Sequence, residues 1–278
     1  MNGSRGEELI SKAIDLDIRC RGEGILLGLA AGDQIGGPTR MAVRVAESLA
    51  ARVAFDPDDI LSRYLEWWIG DGFDTGPTAE AAFELISSGK TVDEATREVD
   101  RKAGGLTAGC NPAHRSAALA LCAFLADESL AEAAMTEARL THYHPLAGDV
   151  AAASVRICRA LLTGKTWQKA LIFAADNRMV ATQAAFEPVT EQQLSKGGYA
   201  PDVLQAALWF VGQSNNLENA LQRSIQFAGY SNYCPVLVGS IGGARWGVGS
   251  LKPEWFQHQG DMVERLRAAA RALNFDCY

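Results

Sequence analysis

The chain has 278 residues, of which 48% are hydrophobic, and it carries 33 acidic against 26 basic side chains. The net charge of -7 argues against binding to nucleic acids or anionic membranes, because both present phosphate to a protein surface. Charged residues or glycines interrupt every apolar run before it reaches the roughly 20 residues that a bilayer span needs. The N-terminal sequence MNGSRGEELI lacks the basic and then apolar pattern of a signal peptide, so we expect a cytoplasmic protein.

Helix signals occur from the first residues onward and continue in chain order. Four Ser/Thr-x-x-Glu/Gln capping boxes predict helix starts, at Ser4, Thr91, Ser129 and Thr190. Between such signals the apolar residues recur three and four positions apart, and no alternating strand pattern is bounded by a hairpin turn. We therefore predict an all-α protein of about ten helices, folded as one compact domain over residues 1–278.

Two of the predicted helices carry mainly small side chains on one face. The segments 24–33 (GILLGLAAGD) and 235–247 (PVLVGSIGGARWG) carry glycine and alanine three and four positions apart. A stripe of small residues lets another backbone approach closely. We therefore expect both segments to be central, enclosed helices.

The cysteines are spread along the chain without a CxxC pair, at Cys20, Cys110, Cys122, Cys158, Cys234 and Cys277. This spacing predicts neither a disulfide scaffold nor a structural zinc site. Cys122 and Cys158 fall in apolar helical runs, which is typical of core cysteines. Cys110 and Cys234 fall in turn-rich segments instead.

The first two segments that break the helical pattern carry aspartates beside glycines. Residues 28–40 (GLAAGDQIGGPTR) place Asp33 at the end of an apolar helix, where a carboxylate is costly unless it is paired or used. Two interpretations stay open for it, a role in chemistry or hydrogen bonding to the amides of the following turn. Residues 67–78 (WWIGDGFDTGPT) place Asp71 and Asp74 in a glycine-rich loop, which is typical of a helix cap and also of a site for a hard cation.

The third segment, residues 107–116 (TAGCNPAHRS), crowds four polar or reactive side chains into one turn, namely Cys110, Asn111, His114 and Arg115. Arg115 with the neighbouring helix amides is suited to holding a phosphate. A cysteine and a histidine four positions apart are by themselves weak support for a nucleophile–base pair.

The fourth and fifth segments add histidines and tyrosines. Residues 141–149 (THYHPLAGD) hold His142 and His144 ahead of a proline turn, which indicates a binding loop. Residues 227–240 (FAGYSNYCPVLVGS) place two tyrosines, Asn232 and Cys234 ahead of the second small-faced helix.

The order and spacing of these five segments resemble the ADP-ribosylglycohydrolase family. GILLGLAAGDQIGGPT is similar to the opening signature of that family, Gly-x-x-x-Gly-x-Ala-x-Gly-Asp followed by Gly-x-Pro, and THYHPLA is similar to its Thr-His-x-x-Pro-x-Ala. The similarity runs through residues 22–247. It implies an all-α fold with a central cleft, in which Asp and Thr side chains hold two magnesium ions that help to cleave a glycosidic bond of ADP-ribose.

The sequence departs from that family at the implied metal ligands. Where the family has Thr-Asp-Asp-Thr, residues 72–75 are Gly-Phe-Asp-Thr, and where it has Asp-Thr-Asp-Thr, residues 230–233 are Tyr-Ser-Asn-Tyr. Two Mg²⁺ ions bring four positive charges, and Mg²⁺ prefers anionic oxygen. One carboxylate, Asp74, remains at these positions, so we expect no metal cofactor. A single Mg²⁺ at Asp74, Thr75 and Asn232 is the alternative.

The resemblance also implies roles for the residues of the five segments. Asp74 is the expected general base for water attack, with Asp33 second. The diphosphate or another anion is expected at Arg115 and the amides near Gly229. The ribose is expected to contact Asn111, His142 and His144. Tyr230 and Tyr233 stand where metal ligands are expected, and either fill the vacated volume or stack on a planar ring.

Three functions are compatible with these expectations. The favoured one is a divergent hydrolase that acts on ADP-ribose or a related ribosyl compound, either a small molecule or an ADP-ribosylated substrate. The second is a non-catalytic protein that binds nucleotides or ADP-ribose or has a structural role. The third is a small-molecule enzyme rebuilt around Cys110, Cys234 and His114, which requires a thiol of depressed pKa. The leaving group and the oligomeric state stay open.

Overall fold

The structure, a computed structural model, describes the backbone of residues 2–273 and the side chains of residues 17–273. These residues form fourteen α-helices: α1 (Asn2–Gly32), α2 (Gly37–Arg52), α3 (Pro57–Asp71), α4 (Pro77–Ser87), α5 (Val92–Lys102), α6 (Asn111–Arg115), α7 (Leu130–Arg139), α8 (Pro145–Leu162), α9 (Trp167–Ala175), α10 (Val180–Ala184), α11 (Ala200–Gly212), α12 (Leu217–Ala228), α13 (Cys234–Trp246) and α14 (Met262–Leu273). Four 3₁₀ helices lie between them: Ser116–Leu121, Glu191–Gln193, Gly229–Ser231 and Pro253–Phe256. No β-strand occurs within the described range, and the predicted all-α class is confirmed.

The predicted helix starts agree with the structure at three of four places. Thr91 caps α5 in a reciprocal capping box, and Thr190 does the same for a single 3₁₀ turn. Ser129 precedes α7 but makes no side-chain cap. Ser4 is not a helix start, because the backbone of α1 already begins at Asn2; its side chain lies outside the described residues, as does Cys277.

The two small-faced helices, α1 and α13, pack against each other backbone to backbone. A Cβ atom on Gly24 would lie 2.5 Å from the carbonyl oxygen of Gly243, and one on Gly28 would overlap the carbonyl of Gly239. Gly32 lies against Pro235 in the same way, so the helices run antiparallel. This contact confirms the predicted enclosed pair. It also brings the end of α1 next to the start of α13.

The core surrounds this pair and extends over α8, which is buried along nearly its whole length. Cys122 and Cys158 are core residues, as predicted. The C-terminal α14 packs on α2 of the same chain, where Arg265 makes a two-pronged ion pair with Glu47 at 2.7 and 2.8 Å. None of the helices described is long and apolar enough to cross a membrane.

Candidate active site

A cleft of about 420 Å³ opens where the end of α1 meets the start of α13. All five segments that break the helical pattern contribute to its walls. The predicted residues that line it are Asp74, Thr75, Cys110, Asn111, His114, His142, Tyr230, Asn232 and Tyr233. The predicted residues that do not line it are Asp33, Arg115, His144, Gly229 and Cys234.

One wall of the cleft comes from a segment outside the five that break the helical pattern. Gly198 lines the cleft because the chain around it pairs with the turn before α6: the amide of Cys110 donates to the Gly198 carbonyl at 3.1 Å. A Cβ atom on Gly198 would lie 3.2 Å from the ring of Tyr233, so the glycine lets that ring sit against the wall. A lone Gly-Gly pair in a polar stretch gave no indication of this contact.

Asp33 is buried behind the cleft and is saturated with hydrogen bonds. Its two carboxylate oxygens accept from the amides of Ile35, Gly36 and Thr39 and from the Thr39 hydroxyl, at 2.7 to 3.1 Å. The side-chain amide of Asn232 donates a fifth bond at 3.1 Å. Of the two interpretations left open for Asp33, the geometry favours the structural one: the carboxylate holds the turn after α1.

Asp74 is the only carboxylate among the described residues that line the cleft. It adopts a left-handed backbone conformation with φ of 52°, which Asp tolerates better than most residues. One of its carboxylate oxygens accepts from the Gly37 amide at 3.3 Å. Partial burial of the carboxyl, and then the charge of Asp33, raise the pKa of Asp74. Such a perturbed carboxyl at a cleft surface is suited to general base chemistry.

The side chains of Asn232 and Thr75 make hydrogen bonds to other groups of the protein. The Asn232 side chain accepts from the Gln34 amide at 2.9 Å and donates to Asp33, so it joins the turn after α1 to the start of α13. Its backbone is also left-handed, with φ of 53°. The Thr75 hydroxyl donates to the carboxylate of Glu80.

Arg115 points away from the cleft into the interior. Its guanidinium pairs with Glu137 at 2.6 Å, both side chains are fully buried, and the remaining N–H groups reach Asn111 at 2.6 Å and Thr141 at 2.9 Å. The expectation that Arg115 holds a diphosphate is therefore wrong, because its donors are used internally. The side chain of Asn111 lines the cleft, but it is held by Arg115 on one side and by the Thr75 carbonyl on the other.

His142 lies in the cleft wall with its Nε2 facing Gly109. Its Nδ1 is hydrogen-bonded at 2.8 Å to the Thr141 hydroxyl, which also accepts a hydrogen bond from Arg115. These two bonds fix the orientation of the ring. Burial, and the nearby charge of Arg115, hold the pKa of His142 well below its usual value, so the ring is neutral.

His114 is the second neutral imidazole in the cleft. The residue is 3% exposed, and its Nε2 is buried without a hydrogen-bond partner. Burial lowers the pKa of His114 to about 4. His144, in contrast, caps α8 by accepting from the Leu146 amide at 3.2 Å, so its predicted ribose contact is not supported.

Two further expectations are corrected by the surroundings of the groups involved. Burial raises the pKa of Cys110 and of Cys234 to about 12, so neither thiol is the activated nucleophile that a rebuilt enzyme requires. The amide of Gly229 donates to the Ile225 carbonyl and is not open to an anion. Tyr230 is fully exposed at the cleft edge, while Tyr233 is partly exposed against Gly198.

A family model described as ADP-ribosylglycohydrolase matches residues 15–276. The chain belongs to the ADP-ribosylglycohydrolase family. It is 27% identical over 243 residues to the ADP-ribosyl-[dinitrogen reductase] glycohydrolase of Rhodospirillum rubrum, a match that covers 86% of this chain and 79% of that protein. It is 30% identical over 79 residues to an ADP-ribosylarginine hydrolase of Pseudomonas putida, covering 28% of this chain and 21% of that protein.

The fold of this ADP-ribosylglycohydrolase family member is shared with a solved structure described as an ADP-ribosylglycohydrolase-related protein complex. The two superpose with a TM-score of 0.74 at 24% identity, over 92% of this chain and 98% of the other. The resemblance recognised from the sequence motifs is thereby confirmed, as is the fold that it implies.

The cleft of this family member does not fit a pair of magnesium ions. Asp33 has both oxygens saturated by N–H and O–H donors, Asn232 is bonded at both ends, and Asp74 remains as one carboxylate against four positive charges. Nowhere in the described part of the chain do three His, Cys, Asp or Glu side chains come together as a metal site. Mg²⁺ gives up water reluctantly and requires anionic oxygens that this donor set does not supply.

Proposed function

We propose that this protein hydrolyses a glycosidic bond of ADP-ribose, or of a related ribosyl compound, with Asp74 as general base and without a dinuclear magnesium site. Family membership supports the reaction class, and the names of both relatives specify hydrolysis of ADP-ribosyl conjugates. The proposed partner is accordingly an ADP-ribosylated protein or a small ribosyl conjugate. The observation that carries the proposal is the position of Asp74, which is the only carboxylate among the described residues that line the cleft and whose pKa is raised by partial burial.

In the proposed reaction a water molecule between Asp74 and the substrate attacks the anomeric carbon of the ribose. The bond from water oxygen to carbon forms as the bond from carbon to the leaving group breaks, and the Asp74 carboxylate accepts the water proton. The leaving group takes a proton from solvent. Positive charge develops on the sugar ring in the transition state, and the carboxylate of Asp74 at the cleft surface stabilises that charge.

The proposal is tested by the release of ADP-ribose from an ADP-ribosylated arginine peptide. Asp74→Asn keeps the size of the side chain but removes the base, so we expect kcat to fall by about 100-fold or more. Asp71→Asn is the matched control, because Asp71 is exposed at the end of α3, close in sequence to Asp74, but does not line the cleft. Its activity should equal that of the wild type.

Chelation separates this mechanism from one that depends on magnesium. We expect EDTA to leave the wild-type rate unchanged, because no reaction step is assigned to a metal. Unchanged activity in Asp74→Asn would refute the role of this carboxylate. Stabilisation by ADP-ribose without any turnover would favour the non-catalytic binding function instead.

A further inference from the structure

The start of α2 lies at the edge of the cleft and carries two arginines on its outer side. Ile35, just before the helix, and Pro38, in its first turn, line the cleft. Arg40 follows in the same turn, and Arg44 lies one turn further along, on the same face of the helix. Neither arginine lines the cleft, so both belong to the surface outside it.

Arg40 and Arg44 have no carboxylate partner among the described residues. One N–H group of Arg40 donates to the Gly36 carbonyl at 3.1 Å. Arg44 donates to the Arg40 carbonyl at 3.3 Å and to the sulfur of Met262 at 3.6 Å. Both side chains are partly exposed, so the rest of their N–H donors are open to a partner from outside.

The charge around Arg44 is positive, although the net charge of the chain is -7. Burial, and then the charges of Arg265 and Arg40, lower the pKa of Arg44, because the three guanidinium groups repel one another. The carboxylates that oppose them are Glu47 and Asp261, and both pair with Arg265. Three cations against two anions leave one positive charge, which an anion bound at Arg40 and Arg44 would compensate.

Large apolar side chains are exposed next to Arg40. Phe73 is 40% exposed and Ile35 is 45% exposed. The guanidinium carbon of Arg40 lies 4.5 Å from the ring centroid of Phe73. Arginine and aromatic side chains together are typical of the residues that contribute most to protein interfaces. A small anion would leave Phe73 and Ile35 exposed, whereas a polypeptide segment covers them as well.

The size of the cleft separates the two parts of a modified protein. Its volume of about 420 Å³ lies in the range of small-molecule sites, so it suits the ADP-ribosyl group but not the chain that carries it. That chain must therefore lie on the surface around the cleft. The start of α2 is part of this surface, and it is the part where unpaired cations and exposed apolar side chains coincide.

We propose that Arg40, Arg44 and Phe73 form a docking surface for an acidic polypeptide segment of an ADP-ribosylated protein. The inference rests on the proposed function, because the occupant is the protein part of that substrate. The two guanidinium groups pair with Asp or Glu side chains of the segment, and Phe73 contacts its apolar side chains. The substrate class is thereby narrowed to proteins with acidic residues near the modified one.

The test compares two ADP-ribosylated arginine peptides, one flanked by Asp and Glu and the other by Ser and Gly. Exposed ion pairs contribute modestly, so we expect a KM about fivefold lower for the acidic peptide. This preference should be lost in the double variant Arg40→Gln/Arg44→Gln. It should also be lost above about 0.5 M NaCl, which screens charges beyond a few ångströms. Since docking acts on binding, kcat should not change.

Two further variants separate docking from general effects of charge or folding. Arg101→Gln removes the same charge from α5, where Arg101 is exposed, has no ion pair within the described structure and does not line the cleft. It should keep the fivefold preference. Arg40→Lys/Arg44→Lys keeps both charges and should recover most of the preference, and thermal unfolding of each variant verifies that it is folded.

An equal KM for the two peptides in the wild type would overturn the inference. A preference that persists in the double glutamine variant, or that falls as much in Arg101→Gln, would overturn it too. Weaker binding of ADP-ribosylarginine, which carries no peptide, to the double glutamine variant would show that the arginines bind the nucleotide phosphates instead. A wild-type dimer that dissociates in this variant would show that a second copy of the chain covers the surface.

Turnover is measured separately from docking. If the wild type hydrolyses neither peptide, the Kd from titration calorimetry replaces KM in the same comparison. An arginine-dependent preference for the acidic peptide would then support the docking surface while the proposed function fails. Hydrolysis of both peptides without a preference would support the proposed function and overturn the docking surface.

Discussion

The buried Arg115–Glu137 pair gives the sharpest prediction about stability. The two side chains are fully buried and joined by a 2.6 Å hydrogen bond, and Tyr64 donates to the same Glu137 oxygen at 2.6 Å. Removing one partner of such a pair leaves an uncompensated charge in the interior, which costs about 3–5 kcal/mol. We therefore expect Arg115→Met to lower the free energy of unfolding by about that amount.

The double variant decides whether this cost comes from the charge or from lost packing. Glu137→Leu in the Arg115→Met background removes the stranded carboxylate, so about half of the loss or more should be regained. Urea unfolding of the four proteins in this cycle measures the coupling. Arg97→Ala is the control, because its pair with Asp93 is exposed on a helix surface and its loss should not be measurable.

A cost below about 1 kcal/mol for Arg115→Met would refute the reasoning. Strict additivity of the two substitutions would do the same, since it would show that the two groups do not interact. Arg115→Met should also weaken ADP-ribose binding, because the Thr141 hydroxyl that is hydrogen-bonded to His142 would lose its own bond from Arg115.

Two further predictions concern the central helix contact and the pH dependence. Gly28→Ala places a Cβ onto the Gly239 carbonyl and should lower the Tm by more than 10 °C in calorimetry, whereas Gly70→Ala, where no atom lies within 4 Å, should not lower it. The base Asp74 must be ionised, so kcat/KM should fall as the pH drops through its raised pKa, above the ordinary value of 3.8. A rate that stays flat down to pH 4, or a Gly28→Ala protein of wild-type stability, would contradict these expectations.

The sequence predicted well which segments form the site, because the patterns that mark those segments are local in the chain. Glycine spacing predicted that α1 and α13 are central, enclosed helices, since small residues let another backbone approach closely, but it did not predict that the two helices contact each other. Five interruptions of the helical pattern identified the cleft, and all five segments reach it. Motif order then identified the family.

The roles of single side chains were less predictable, because they depend on which way a side chain points. Arg115 looked like an anion ligand, yet it faces Glu137, which lies 22 positions away and carried no signal of its own. Asp33 was a candidate catalytic group from the sequence, but its five hydrogen bonds show that it holds the turn after α1. Gly198 enters the cleft through a long-range backbone pairing that no local pattern encodes.

Calorimetric titration of this protein with MgCl₂, followed by MnCl₂, examines most directly whether Asp74 works without metal ions. The lone cleft carboxylate predicts no saturable uptake of either ion at millimolar concentration, while ADP-ribose release continues. Uptake of two ions per chain, with turnover appearing only after their addition, would contradict a metal-independent role for Asp74.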